Sequence, residues 1–497
     1  MTEEEQIRSE RLKKIEDLEI NPYPSRSHRS HTAQAVIDGF EELEQSQTPI
    51  TVCGRIRALR KHGGISFISL QDASGTIQIV LHKQDLGDDV FDQFHAVSDL
   101  ADFYEFHGVV FLTKRGEKSI KVLSYRILAK SLLPLPEKFH GLSDLEIRYR
   151  QRYLDLIANE ESMKVAKARA RMVRAMREYL EAQDFLEVET PILQQIPGGA
   201  NARPFITHHN TLHTDLYLRI APELYLKRLI VGGFEKVYEF ARCFRNEGIS
   251  PQHNPEFTQI ETYWAYATIE NLIDHLEGLI KTALHAVTNG SDEIMFEDTI
   301  ISFKNIDRKT FREVILEHTG IDIDGYQNES DLRNVIMEQG VNVEGVYGYG
   351  ELIDALYKHG ARPKIIQPMF VTDYPSAMKP LAKRRENNPF YSASAQLVVM
   401  GMEMCNAFNE LNDPLEQEDR FREQEALREQ GSEEAQRIDD DYLTALKHGM
   451  PPTAGYGIGI DRLAMLLTGS KTIKDVILFP TLKPKSEEES RQPEEKE

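Results

Sequence analysis

The chain has 497 residues, 40% hydrophobic and 28% charged, and its 59 Lys and Arg stand against 80 Asp and Glu. That length suits two or three domains, and a net charge of -21 excludes broad nonspecific nucleic-acid binding, which rests on phosphate neutralisation by Lys and Arg. No apolar run nears the roughly 20 residues of a membrane span, the N-terminal MTEEEQIRSE is too acidic for a signal or transit peptide, and Cys53, Cys243 and Cys405 lack disulfide-framework or zinc spacing, so a cytoplasmic enzyme is expected.

Residues from about Thr2 to Leu18 read as a surface helix stopped by Asn21-Pro22-Tyr23-Pro24, and a second helical stretch covers about His31 to Glu44. Residues 1–48 are thus a helical extension. The pattern then switches to period two, with Val52, Gly54, Ile56 and Ala58, then Ile68 and Leu70, then Ile77, Ile79 and Leu81 marking three strands. A helix over Leu86 to Leu100 and strands over about Glu105 to Leu112 and Ser119 to Leu128 follow. Three strands, a helix and two strands fit a five-stranded OB barrel over 49–135, an architecture that binds oligonucleotides. With Ile68, Leu70, Ile77 and Ile79 inward, Phe67 and Gln78 must face outward. There a ring can stack on an unpaired base and an amide can read another's edge.

Leu133-Pro134-Leu135-Pro136 ends the barrel and residues 136–160 read as a linker. A larger domain, 161–484, opens with an amphipathic helix whose stripe is Val165, Ala168, Met172, Met176 and Tyr179. Asp184-Phe185-Leu186-Glu187-Val188-Glu189-Thr190-Pro191 reads as a strand closed by proline. A helical insertion occupies about 268–360, Pro414 to Gly449 is an acidic helical stretch, and the tail 485–497 has the composition of a disordered segment.

Two segments carry chemistry. Arg242-Cys243-Phe244-Arg245-Asn246-Glu247-Gly248, followed by His253, Phe257 and Glu261, combines fixed cations suited to phosphate or carboxylate with a ring on which a purine can stack. Gly455-Tyr456-Gly457-Ile458-Gly459-Ile460-Asp461-Arg462 reads as a glycine-rich turn entering a helix, a second place for a polyphosphate. It lacks GxGxxG spacing and a parallel βαβ context, so a Rossmann site is excluded.

These two segments resemble motifs 2 and 3 of the class II aminoacyl-tRNA synthetases. With Pro197-Gly198-Gly199-Ala200-Asn201-Ala202-Arg203-Pro204-Phe205, Ala221-Pro222-Glu223-Leu224-Tyr225-Leu226-Lys227 and Asn406-Ala407-Phe408-Asn409-Glu410-Leu411-Asn412-Asp413, the resemblance is to the bacterial-type class II lysyl-tRNA synthetases, over about Arg11 to Pro484. It implies an α+β architecture, an OB anticodon-binding barrel followed by a catalytic domain on an antiparallel sheet flanked by helices, and a homodimer built through motif 1, where Asp184 replaces the usual glycine. It implies activation of L-lysine by ATP with Mg2+ and transfer to tRNA(Lys).

By the same resemblance, Arg245 bridges substrate carboxylate and α-phosphate, Arg462 holds the γ-phosphate, Phe257 stacks on adenine, and Glu247 and His253 complete the ATP site. Glu223 and Gly199 take the α-amino group, Glu410 and Tyr263 the ε-ammonium, and Glu261, Asn406 and Phe408 the remaining wall, while Phe67, Gln78 and Glu117 meet the anticodon. Where most members carry two glutamates seven apart for magnesium, this chain has Gln396 and Glu403, so Glu403 is expected to hold the ion with weaker help from the neutral amide. A synthetase for an acidic or amide amino acid, a protein-lysylating paralogue and a non-catalytic RNA-binding paralogue are the competing readings. Glu223 with Glu410 opposes an acidic substrate, Phe67 with Gln78 opposes the second reading, and Arg245, Glu403 and Arg462 the third.

Overall fold

Alternating apolar residues close into a barrel in the first of two units, Met1–Ser143 and Asp144–Glu497. The computed structural model describes residues 2–136, 142–326, 328–346, 348–429 and 437–484; the expected disordered tail lies outside them. The barrel strands are Ile50–His62, Ile65–Gln71, Thr76–His82, Phe103–Leu112 and Lys118–Ala129. The first pairs with the second and fourth, and the third runs parallel to the fifth. Ile56, Ile68, Leu70, Ile77, Ile79, Phe106 and Val122 fill its interior, with Phe91 and Phe94 from helix Asp88–Val97. Closure bends the fourth strand at His107/Gly108, where the register shifts. A Cβ on Gly108 would lie 2.1 Å from the Lys121 carbonyl oxygen, so this crossing tolerates only glycine.

Two helices expected as continuous are broken. The His31–Glu44 stretch is Ala33–Asp38 and Phe40–Ser46, divided at Gly39, and the Leu86–Leu100 stretch is Lys83–Leu86 and Asp88–Val97, divided at Gly87 with φ 86°. Glycine ends each first helix because the chain must turn there to keep apolar faces on the barrel.

The second unit is built on an eight-stranded sheet. Its spatial order is Asp307–Thr310, Met369–Thr372, Ser394–Val399, Met402–Asn409, Thr453–Gly459, Glu256–Ala265, Lys236–Phe244 and Leu186–Glu187. The six inner strands are antiparallel and only the two outermost pairs are parallel. Helices Glu160–Glu181, Ile269–Thr288 and Ile460–Thr468 cover one face, burying Val165, Met172, Met176, Leu276, Leu279, Leu463 and Leu467. Each such side chain contributes about 1.5–3 kcal/mol. The predicted stripe of the first helix ends on Leu180 rather than Tyr179, whose hydroxyl donates to the His275 carbonyl oxygen at 3.1 Å. The architecture is the expected α+β: an OB barrel, then an antiparallel-rich sheet with helices.

Three expectations need correction. The segment read as a linker contains helices Leu145–Arg150 and Arg152–Ala158, held to the second unit because Tyr149 donates to Asp475 at 2.9 Å and Arg152 to the Leu478 carbonyl oxygen at 2.9 Å. Charged residues there are tethers, not a solvated spacer. The segment after Asp184 pairs over Leu186–Glu187 alone. Asp184 itself has φ 63°, the left-handed region that a glycine would occupy without strain. The insertion is not purely helical: it includes the hairpin Glu293–Phe296/Thr299–Ser302 and the edge strand Asp307–Thr310.

His275 is buried between the Gln183 side-chain oxygen at 2.9 Å and the Tyr456 hydroxyl at 3.0 Å. Burial, reinforced by Lys236, depresses its pKa to about 4. The unfolded chain, with a His pKa near 6.5, binds a proton first as the pH falls. Its contribution is therefore complete above pH ~6.5 and lost down to pH ~4, about 3 kcal/mol in all. Urea unfolding at pH 7 and 4.5 should show this loss shrinking in His275→Gln; an equal loss in both proteins would refute it. Among the described residues no helix is long and apolar enough to cross a membrane.

Candidate active site

A cleft of about 600 Å³ opens on the sheet face opposite the three helices. Period two places Gln259, Glu261 and Tyr263 on one side of strand Glu256–Ala265, and Gly459, Gly457 and Gly455 stand opposite them. Gly457 and Gly455 in turn face Asn406 and Phe408. The glycines expected in a turn therefore lie in a strand, Thr453–Gly459, and form the floor of the cleft. A Cβ on Gly455 would sit 2.6 Å from both Glu410 Oε1 and the Tyr263 ring. Absent side chains leave room for a ligand between flanking walls.

One end of the cleft is acidic. Glu223, Glu261 and Glu410 are 5%, 7% and 1% exposed. Glu223 opens helix Glu223–Val231, and Gly199, at φ 85°, packs against its Cβ. One turn on, Lys227 is fully buried with Nζ 2.5 Å from both Glu223 Oε1 and Glu410 Oε2. Burial would lower the Lys227 pKa, but the two carboxylates more than offset it and keep the ammonium charged. Glu410 Oε2 is thus ion-paired with an ammonium it shares with Glu223, and among the described residues Glu410 Oε1 receives no hydrogen bond. Glu261 accepts from Gln259 Nε2 and the Tyr263 hydroxyl, each at 2.9 Å. Burial, then the charge of Glu223, pushes its pKa up to about 8.

The other end is cationic and aromatic. Phe257 stands opposite Cys243, with the Arg245 guanidinium 5.0 Å from its ring centroid. Among the described residues the buried Arg245 Nε has no hydrogen-bond partner. Arg462, in the first turn of helix Ile460–Thr468, donates to His253 Nε2 at 2.9 Å, and His253 Nδ1 meets Ser250 Oγ at 2.7 Å. Burial and three arginines, Arg462, Arg245 and Arg362, lower the His253 pKa. A neutral ring accepting from Arg462 and donating to Ser250 fits both contacts. Asp461 fixes this helix to the sheet by accepting from Thr258 N at 2.7 Å and Arg169 at 2.6 Å. Glu247 lines the same cleft.

Between the ends lie Gln396, Glu403 and Asn406. Gln396 faces Asn406, and a bulge after Leu397 brings Glu403 opposite Val398, so Glu403 and Asn406 share the cleft face although three residues apart. Gln396 Oε1 accepts from the Tyr374 hydroxyl at 2.7 Å. Every expected catalytic-domain residue thus lines one cleft except Glu410, which contacts the Gly455 floor from just behind it. Lys227, Lys379, Tyr374 and Arg362 were not singled out in the sequence. Only Lys227 had a signal there, its i,i+4 spacing from Glu223 at a helix start.

On the barrel, Arg60, Phe67, Gln78, Glu117 and Lys118 line one groove, and Gln78 Nε2 donates to Ser119 Oγ at 2.8 Å. Phe67 and Gln78 are half-buried beside buried Ile68 and Ile77, as alternation requires.

The chain is similar in sequence to known proteins. A family model described as tRNA synthetases class II (D, K and N) matches residues 144–483, and one described as an OB-fold nucleic acid binding domain matches 50–128. The chain is 48% identical over 480 residues to the lysine–tRNA ligase of Carboxydothermus hydrogenoformans, covering 96% of this chain and 98% of that one. It is 49% identical over 485 residues to that of Roseiflexus castenholzii, covering 97% and 99%, and 47% identical over 470 residues to that of Helicobacter pylori, covering 93% of each.

Proposed function

We infer that this chain, which belongs to the class II tRNA synthetases of the D, K and N group, is a lysine–tRNA ligase. It activates L-lysine with ATP to lysyl-adenylate and pyrophosphate, then transfers the lysyl group to the 3′-terminal adenosine of tRNA(Lys). The observation that carries the reading is charge balance. Three buried carboxylates, Glu223, Glu261 and Glu410, face one buried ammonium, Lys227, leaving two formal negative charges for the two ammonium groups of L-lysine. An acidic substrate would be repelled and a neutral one would leave those charges unmatched.

The α-amino group goes to Glu223 beside Gly199, and the ε-ammonium to Glu410 and Tyr263, with Glu261, Asn406 and Phe408 as walls. The remaining carboxylate then points toward Arg245. ATP lies with adenine on Phe257 and its phosphates toward Arg245, Arg462, His253 and Glu247. Both reactants are held in line, and charge developing at the α-phosphate meets fixed guanidinium groups. Little else is needed, because attacking carboxylate and leaving pyrophosphate are both substrate groups.

Magnesium, which neutralises phosphate charge when bound, fits Glu403, a half-buried carboxylate with no ion-pair partner within 4 Å among the described residues. Gln396 fits less well, because its oxygen already accepts from Tyr374. No group of three metal-ligating side chains occurs among the described residues, so phosphate oxygens would supply most ligands. A homodimer is supported by exposed Leu186, Ile192 and Leu193 around motif 1, and a cytoplasmic site of action follows from the substrates.

The test is ATP/pyrophosphate exchange with each amino acid in turn, then charging of unfractionated tRNA. Lysine alone should support both; absence of lysine-dependent exchange overturns the reading. In the same assays Phe67→Ala should leave exchange unchanged and lower kcat/KM for tRNA charging about 10- to 100-fold, the worth of one stacked base. Equal loss in both assays would remove Phe67 from anticodon recognition.

A further inference from the structure

We propose that Lys379 is a positioning cation for the α-phosphate oxyanion at the point where the nucleotide meets the substrate carboxylate, adding fixed positive charge beside a metal site that offers one carboxylate, Glu403. The proposal rests on the functional reading above.

Lys379 lines the cleft between its acidic and cationic ends, together with Gln396, Glu403 and Asn406. Its Nζ donates to Asn406 Oδ1 at 2.7 Å and stands 4.7 Å from the centroid of the Tyr374 ring. Among the described residues no carboxylate lies within 4 Å of it, whereas Lys227, fully buried beside Glu223, has two. Desolvation acts on the ammonium and lowers its pKa, and Glu403 opposes this only from a distance. A desolvated cation held by a neutral amide and a ring face is short of an anion.

The surroundings are neutral by construction. Asn406 Oδ1 receives Lys379, so it can only accept from Gln396, whose Nε2 points at it from 3.5 Å. Gln396 must then turn its oxygen to the Tyr374 hydroxyl, and the Tyr357 hydroxyl lies 3.1 Å from that of Tyr374. This relay fixes Asn406 and through it the ammonium. A carboxylate at position 396 could not donate to Asn406 and would draw the lysine to itself. The same face that meets the nucleotide thus presents a fixed positive charge where the expected second metal ligand is uncharged.

Two ligands that differ only in this phosphate, AMP and adenosine, separate the charge from the rest of the site. Both are titrated in EDTA onto the unmutated protein, Lys379→Met and Lys379→Arg. Lys379→Met should bind adenosine within twofold of the unmutated protein and AMP at least tenfold more weakly, with Lys379→Arg keeping most of the preference for AMP. The magnesium concentration giving half-maximal lysine-dependent exchange should rise severalfold in Lys379→Met. An unchanged AMP/adenosine ratio in Lys379→Met, or equal loss of both ligands, would overturn the proposal. Failure of the functional reading appears separately, as missing lysine-dependent exchange in the unmutated protein, while the ligand ratio still reports on Lys379.

Discussion

Glu410→Gln is expected to lower kcat/KM for L-lysine in pyrophosphate exchange by about 10³-fold, or about 4 kcal/mol of transition-state binding, with KM for ATP changed no more than about threefold. The size follows from a buried carboxylate that lacks an ammonium of its own. It is 1% exposed and its cationic neighbour, Lys227, is shared with Glu223, so the ligand's ε-ammonium would supply the counter-charge that Glu410 does not have to itself. Glutamine keeps the volume but replaces an anion with an amide, leaving a desolvated ammonium unmatched. The fold should survive, because Lys227 keeps its bond to Glu223. Equal losses for ATP and lysine, or a collapsed thermal midpoint without ligand, would argue for a structural role instead. The same electrostatics set a pH dependence. In the empty cleft Glu261 has a pKa raised to about 8 by burial and Glu223, and a bound cation favours its ionised form. Lysine binding should therefore release a proton and strengthen as pH rises from about 6 to 8. Calorimetry in buffers of different ionisation enthalpy measures that release directly.

How much of this was legible in the chain depended on whether a signal was local. Barrel strands and the outward faces of Phe67 and Gln78 follow from period two, because one buried face fixes the parity of its neighbours. The helix Glu160–Glu181 followed likewise from its stripe. Breaks at Gly39 and Gly87 were missed because apolar spacing continues across them, and the turns answer to the barrel behind. Helices Leu145–Arg150 and Arg152–Ala158 were missed because their anchors, Asp475 and Leu478, lie over 320 residues away. In the site, type and order of the charged residues were readable from motifs. The glycine floor was not, since only strand pairing shows that Gly455 and Gly457 stand between Tyr263 with Glu261 and Phe408 with Asn406. Lys379 gave no sequence signal at all: one lysine before a proline gains meaning only when its neighbours prove neutral.

Arg245→Ala should reduce the rate of adenylate formation by about 10²- to 10³-fold, the usual worth of a fixed charge aimed at a developing oxyanion, while L-lysine binding alone weakens far less. Arg245 leaves strand Lys236–Phe244 at its end, with its backbone N bonded to the Pro255 carbonyl oxygen at 2.8 Å and its guanidinium against Phe257. The backbone bond closes the loop and so aims the side chain from both strands at once. Among the described residues its buried Nε has no partner, which is costly unless a ligand oxygen completes it. Arg245→Lys should recover little, because a point charge cannot serve carboxylate and phosphate in one plane as a guanidinium does. Arg462→Ala provides the contrast. That arginine is bonded to His253 and, in the proposed placement of ATP, serves the far phosphates, so its loss should raise KM for ATP more than it lowers kcat. Rapid-quench measurement of adenylate formation at saturating substrates separates the two. If Arg245→Ala merely raised KM with kcat intact, the guanidinium would bind ground state and transition state alike, and its place between carboxylate and α-phosphate would have to be given up.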